Sequence, residues 1–193
     1  MRLWSELPEK LRVDLDARWN EPHRHHHTAR HRDEMLAALE VLADAGEPFA
    51  ERPVVLAVWF HDAIYEVFGT DNEGRSAELA ATLLGAGDPD VDEVVRLVEL
   101  TRTHEVAPGD RNGAALSDAD LWVLGTSPRR YREYTEAVRA EYRRIPGPLY
   151  RRGRAKILRE LLSHEHLYVT PTARARWEAS ARANLEAEIA RLS

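Results

Sequence analysis

A chain of 193 residues can build one sizeable core but is short for two independent domains, and its 44% hydrophobic and 31% charged content is ordinary for a globular protein. No apolar run approaches the roughly eighteen residues of a membrane span and no basic-then-apolar leader follows Met1, so neither a membrane segment nor a secretory signal is expected. Zero cysteines exclude disulfides, thiolate zinc sites and a cysteine nucleophile and fit a cytoplasmic protein, while a net charge of −6 makes nucleic acid an unexpected partner.

Taken in order, nearly every segment reads as helix. Leu7, Leu11, Leu15 and Trp19 recur every four residues over about Ser5 to Trp19, and the Pro22 region interrupts them. A second helix is expected from about Thr28 to Ala45, with Met35, Leu36, Leu39 and Leu42 as its stripe and Gly46 as its stop. Pro53 suits the first turn of a third, whose run meets no breaker before Gly69. Asp71 or Asn72 caps a fourth through Leu84, and Asp88-Pro89 opens a fifth towards Thr101. Beyond the Pro108-Gly109 turn, Ser117 to Leu124 reads as a short helix closed by Gly125. Ser127-Pro128 begins a long one to about Ile145, Leu149 to Leu162 is helical again, and Thr170-Pro171 opens the last. No alternating strand pattern occurs. The expectation is an all-α single domain over 1–193, with a core at about 19–125 and C-terminal helices, about 127–192, packed on it.

The third helix carries Trp59-Phe60-His61-Asp62-Ala63-Ile64-Tyr65-Glu66. An imidazole beside a carboxylate at the end of an apolar run is expensive to bury unless something neutralises both, and a divalent metal does so. The alternative is a hydrogen-bonded core histidine next to a capping aspartate. Nine histidines are many for this length, and five of them fall between His23 and His31. His27 and His31 are four apart and share a helix face, and a turn with a proline separates His31 from His61. Asp120 sits among Ala119, Leu121, Trp122 and Leu124, where an inward carboxylate needs a partner. His31, His61, Asp62 and Asp120 together supply two imidazole nitrogens and two carboxylates. That set suits Mn, Fe, Co, Ni or Mg better than a closed structural zinc.

The order His31, His61-Asp62, Asp120 on helices resembles the HD superfamily of metal-dependent phosphohydrolases. More narrowly it resembles predicted HD phosphohydrolases with an Arg-x-Tyr-His-Asn-x-x-His start, a Trp-Phe-His-Asp-x-x-Tyr core and an Asn-Glu-x-x-Ser-Ala segment. Here these read Arg24 to His31, Trp59 to Tyr65, and Asn72-Glu73-Gly74-Arg75-Ser76-Ala77. Thr101-Arg102-Thr103-His104, Asp118-Ala119-Asp120-Leu121, Glu141-Tyr142 and Gly153-Arg154 extend the likeness from about Trp19 to Leu185. His26 departs from the usual Tyr, and Thr28 from the usual Asn. The resemblance implies an HD-type helical bundle, a divalent metal on His31, His61, Asp62 and Asp120, and phosphoester or phosphoanhydride hydrolysis of a small phosphorylated molecule such as a nucleotide.

Phosphoryl transfer calls for cationic donors around the metal, and Arg24, His27, His104 and Arg154 are the candidates for substrate binding. For His104 the alternative is a helix C-terminal residue favoured by the dipole, and His27 or His104 is equally a candidate ligand for a second metal. Glu66, one helical turn after Asp62, is a candidate general base or acid, with a solvated or salt-bridged glutamate as its alternative. Glu73 has a similar pair of readings. The Arg129-Arg130-Tyr131-Arg132 and Tyr150-Arg151-Arg152-Gly153-Arg154 stretches interleave bases with tyrosines, but the neighbouring Glu133, Glu136 and Glu141 favour a solvated, salt-bridged face. A metal- or nucleotide-binding regulatory domain without turnover is the alternative function, and a di-iron oxygenase a more distant one. The sequence leaves the oligomeric state open.

Overall fold

The apolar run that begins at Pro53 becomes the central helix of the protein. In the computed structural model, which describes residues 7–192, every side chain from Pro53 to Phe60 is buried. A helix that is apolar all round has to be enclosed by other helices. Among the described residues nine α-helices run in order: α1 (Glu9–Trp19), α2 (Ala29–Asp44), α3 (Glu51–Phe60), α4 (Asn72–Leu84), α5 (Val91–Leu100), α6 (Arg111–Asp120), α7 (Pro128–Glu141), α8 (Gly147–Ser163) and α9 (Pro171–Leu192). A 3-10 segment, Leu121–Gly125, follows α6. No strand occurs among the described residues. Ser5, where the first helix was expected to begin, lies outside them.

Helix α3 packs on α2, α4, α5 and α6, and α2 packs on α6, so the elements that carry the candidate ligands are mutual neighbours. Leu36, Leu39 and Leu42 of α2 join Val54, Val58 and Phe60 of α3 and Leu97 and Leu116 of α5 and α6 in one apolar cluster. Trp19, fully buried at the end of α1, donates its indole N–H to the Trp59 carbonyl at 2.9 Å. That bond ties α1 to the last turn of α3 and satisfies a carbonyl the helix end would leave open. The C-terminal part is joined to this core through α9, which packs on α8 and on the 3-10 segment.

Two boundaries differ from expectation for identifiable reasons. Helix α6 begins at Arg111 rather than Ser117, because Asp110 accepts the Gly113 N–H at 2.9 Å as an N-cap. Helix α3 ends at Phe60, well before Gly69. Its exit is held by groups from elsewhere in the chain, described next.

Candidate metal centre

The His61 N–H still reaches the Ala57 carbonyl, but from Asp62 onward several backbone groups find tertiary partners. The buried guanidinium of Arg24 donates to the carbonyls of Asp62 at 2.7 Å and Ala63 at 3.3 Å. The Ile64 N–H goes to Ser76 Oγ and the Glu66 N–H to Asn72 Oδ1, both on α4. This clamp turns the chain sharply, so that His61 and Asp62 sit at the very end of α3 with their side chains facing α2 and α6.

His31 from α2 and His61 are buried, and together with Asp62 they form a group that can hold a metal ion, with ligand atoms all within 4.8 Å of one another. The His61 Nδ1 lies 2.9 Å from the Val58 carbonyl, so Nδ1 carries the proton and donates it there. That leaves Nε2 facing the site, 3.1 Å from Asp62 Oδ2 and 3.9 Å from Asp120 Oδ1, with no hydrogen bond to either. Asp120, at the end of α6, places Oδ1 3.0 Å from His31 Nε2 and Oδ2 3.4 Å from His104 Nε2.

The electrostatics ask for a cation. Burial alone would lower the His61 pKa, yet the Asp62 and Asp120 carboxylates hold it up at about 9. Burial would likewise raise both carboxyls, and the surrounding imidazoles instead keep Asp62 and Asp120 far below the ordinary carboxylate range. The two carboxylates thus favour positive charge at Nε2. A divalent ion answers the same demand with a lone pair already aimed at it, which is why the orphaned His61 Nε2 fits a metal ligand. Imidazole nitrogens with carboxylate oxygens form a donor set of intermediate hardness, in keeping with Mn, Fe, Co, Ni or Mg.

The other residues singled out from sequence separate into two groups. His27, His104 and Arg154 line one cavity of about 550 Å³ with the four acidic and imidazole groups above. His27 lies on the turn before α2 rather than on the helix, and its Nδ1 is 2.8 Å from Glu141 Oε2. Burial works against its charge, but Asp62 and Glu141 outweigh burial and raise its pKa. His104 adopts a left-handed backbone (φ 56°) just after α5, with Nδ1 3.0 Å from Ser117 Oγ, and burial lowers its pKa against the pull of Asp120. Arg154 of α8 reaches the cavity but is already paired with Glu188 at 2.9 Å and bonded to the Tyr134 hydroxyl.

Arg24 and Glu66 do not line the cavity. Arg24 spends its donors on backbone carbonyls and Glu21, and so positions the His61-Asp62 turn. Glu66 falls off the expected register because α3 has already ended; its exposed carboxylate pairs with Arg75 at 2.8 Å, away from the site. The salt-bridged glutamate weighed as the alternative to a general base is the arrangement Glu66 adopts here.

Glu141 is the functional neighbour that sequence reasoning placed wrongly. Grouped with Glu133 and Glu136 as part of a solvated face, it is buried. Its Oε1 accepts the backbone N–H groups of His25, His26 and His27, and its Oε2 bonds the His27 ring and the Tyr65 hydroxyl. The signal was present: Tyr134, Val138 and Glu141 follow the four-and-three spacing of the buried face of α7. His26, the departure from the usual Tyr, is buried with its ring 4.7 Å from that of His31 and 4.6 Å from that of Tyr134.

The chain matches no known family profile, no curated protein and no solved structure. Fold and site thus define an all-helical domain with a buried His/His/Asp cluster able to hold a metal ion.

Proposed function

We propose that this protein is a metal-dependent phosphohydrolase of the HD type, acting on a small phosphorylated molecule. The observation that carries the reading is the convergence of His31, His61, Asp62 and Asp120 from three separate helices at one end of an open cavity. Their order in the chain matches the HD resemblance. These four residues would hold the ion. When bound, it supplies Lewis acidity at a phosphoryl oxygen and lowers the pKa of its water.

The protein's own groups complete the chemistry. Val58 fixes the His61 ring, Arg24 fixes the turn that carries Asp62, and Glu141 fixes His27 at the cavity wall. His27, whose pKa Asp62 and Glu141 raise, is the donor suited to a phosphoryl oxygen. With Glu66 removed, Glu73 and His104 are the cavity groups placed to take or give a proton.

The test is metal content and phosphate release measured on the same samples. Wild type purified without a metal-affinity step should carry about one equivalent of a divalent transition metal, and His61→Ala and Asp62→Ala should lose it. Release from phosphate esters should fall at least 100-fold in Asp62→Ala. Equal release by wild type and Asp62→Ala, across metals and substrates, would exclude catalysis at this site. The displacement of Glu66 favours one second reading, a metal- or nucleotide-binding regulatory domain; tight nucleotide binding without turnover over long incubation would select it.

A further inference from the structure

We propose that the substrate of this centre is an organic monophosphate with an apolar body, an alkyl or aryl group lacking hydrogen-bonding edges, seated between α7 and α8. The proposal rests on the phosphohydrolase reading and adds the class of molecule.

The cavity that holds the metal cluster at one end continues between these two helices. From α7 and the turn after it, Tyr134, Val138, Tyr142 and Ile145 lie on one face at helical spacing; Leu149, Tyr150, Gly153 and Ile157 do the same on α8. Among the cavity residues from these two helices the hydrogen-bonding side chains are Tyr134, Tyr142, Tyr150 and Arg154, and of these Arg154 is already bonded to Glu188 and to the Tyr134 hydroxyl. A base or sugar would bring more donors and acceptors than the few hydroxyls of this wall can pair, whereas Val138, Ile145, Leu149 and Ile157 offer apolar surface only, which favours an apolar body. Leu149 is 62% and Ile157 53% exposed, an unusual state for branched apolar side chains that border a cavity. An apolar ligand body would cover them. The volume, about 550 Å³, is that of a small-molecule site and too small for a two-chain lipid.

The charge inventory limits the anionic end. Three carboxylates, Asp62, Glu73 and Asp120, line the cavity against one guanidinium, Arg154, and the His27 imidazole already given to the metal-bound phosphoryl group. Arg154 is held by both oxygens of Glu188, at 2.9 and 3.2 Å, and by Tyr134. A diphosphate or triphosphate requires further free cationic groups, as phosphate-chain sites elsewhere provide. Here one metal-bound phosphate is what the wall can neutralise.

The experiment is calorimetric titration of the Mn-loaded protein with methyl-, butyl- and hexylphosphonate and with ADP, alongside phosphate release from the matching alkyl phosphates. Affinity should rise about fourfold per buried methylene, and ADP should bind more weakly than hexylphosphonate. Gly153→Leu tests the location: a Cβ at Gly153 meets nothing within 4 Å, so the variant folds while its side chain fills the space. It should lose at least tenfold of the hexyl-over-methyl preference. Equal affinity for methyl- and hexylphosphonate, tighter binding of ADP, or an unchanged preference in Gly153→Leu would overturn the proposal. So would a dimer that Ile157→Asp splits without altering the preference, since the apolar face would then belong to a second copy. The two readings fail separately. Chain-length-dependent phosphonate binding with no release from any ester removes the hydrolase reading and keeps the ligand class. Release without chain-length dependence does the reverse.

Discussion

Glu141 shows how much one buried carboxylate can organise. It gathers three consecutive backbone N–H groups, the His27 ring and the Tyr65 hydroxyl around two oxygens. Burial alone would raise its pKa, but His27 and the N–H donors bring it from 4.5 down to about 2. An acid depressed in the folded state stabilises the fold above its unfolded pKa and loses that contribution as pH falls through the folded value. The window therefore runs from pH 4.5 down to about 2, and the whole contribution is on the order of 3 kcal/mol. Urea unfolding at pH 6 and pH 3 should show wild type losing about 2 kcal/mol more than Glu141→Gln. Parallel losses in the two proteins would mean the carboxylate is not ionised in this way.

Two charged residues near the metal cluster have exchanged roles relative to their sequence neighbourhood, and variants separate them. Arg24 touches no cavity surface but holds the Asp62 and Ala63 carbonyls. Loss of such an outer support commonly weakens metal binding 10- to 100-fold. Arg24→Ala should show that loss by metal titration, while Glu66→Ala, altering a surface pair with Arg75, should stay within twofold of wild type. A large effect of Glu66→Ala would bring that residue back to the site.

At the scale of elements, the junction between the 3-10 segment and α9 has the tightest tolerance. A Cβ on Gly125 would lie 2.5 Å from the Trp177 Cβ and 2.9 Å from its carbonyl oxygen. Gly125→Ala should destabilise by about 1–3 kcal/mol through overpacking. Gly153→Ala, in the middle of α8 with open space beside it, should stabilise by about 0.5–1 kcal/mol. Denaturant midpoints of the two variants should therefore move in opposite directions. The glycine that closes the short helix was visible in the sequence as a stop; that it is also a contact point for Trp177 was not. Asp118 and Asp120 teach the same lesson. Two positions apart on a helix they face opposite ways. Asp118 is fully buried and accepts the Val169 and Thr170 N–H groups at the start of α9, whereas Asp120 faces the histidines.

For the whole molecule, an ion held by His31, His61 and Asp62, with Asp120 beside them, would tie together helices that enclose the core. A ligand that binds only the folded state at 100 times its Kd adds about 2.7 kcal/mol. For a chain of this size that corresponds to roughly 5–10 °C in Tm. Mn addition should produce that shift in wild type, a chelator should reverse it, and His61→Ala should show neither. An unchanged Tm at saturating metal would argue that the cluster is structural.

The sequence by itself determined the all-α class, most of the helix spacing and the four candidate ligands. These are local properties: the stripe of Met35, Leu36, Leu39 and Leu42, the capping pairs, and a His-Asp dipeptide closing an apolar run. Tertiary structure alone decided where α3 stops, that Arg24 supports and Glu66 is absent from the site, and that Glu141 is buried. Each of those outcomes depends on partners far away in the chain, 38 residues for Arg24 with Asp62 and 114 for His27 with Glu141. Hydrogen bonds across such separations override helix propensity because a buried backbone group must be satisfied by whichever donor or acceptor the packed fold brings to it.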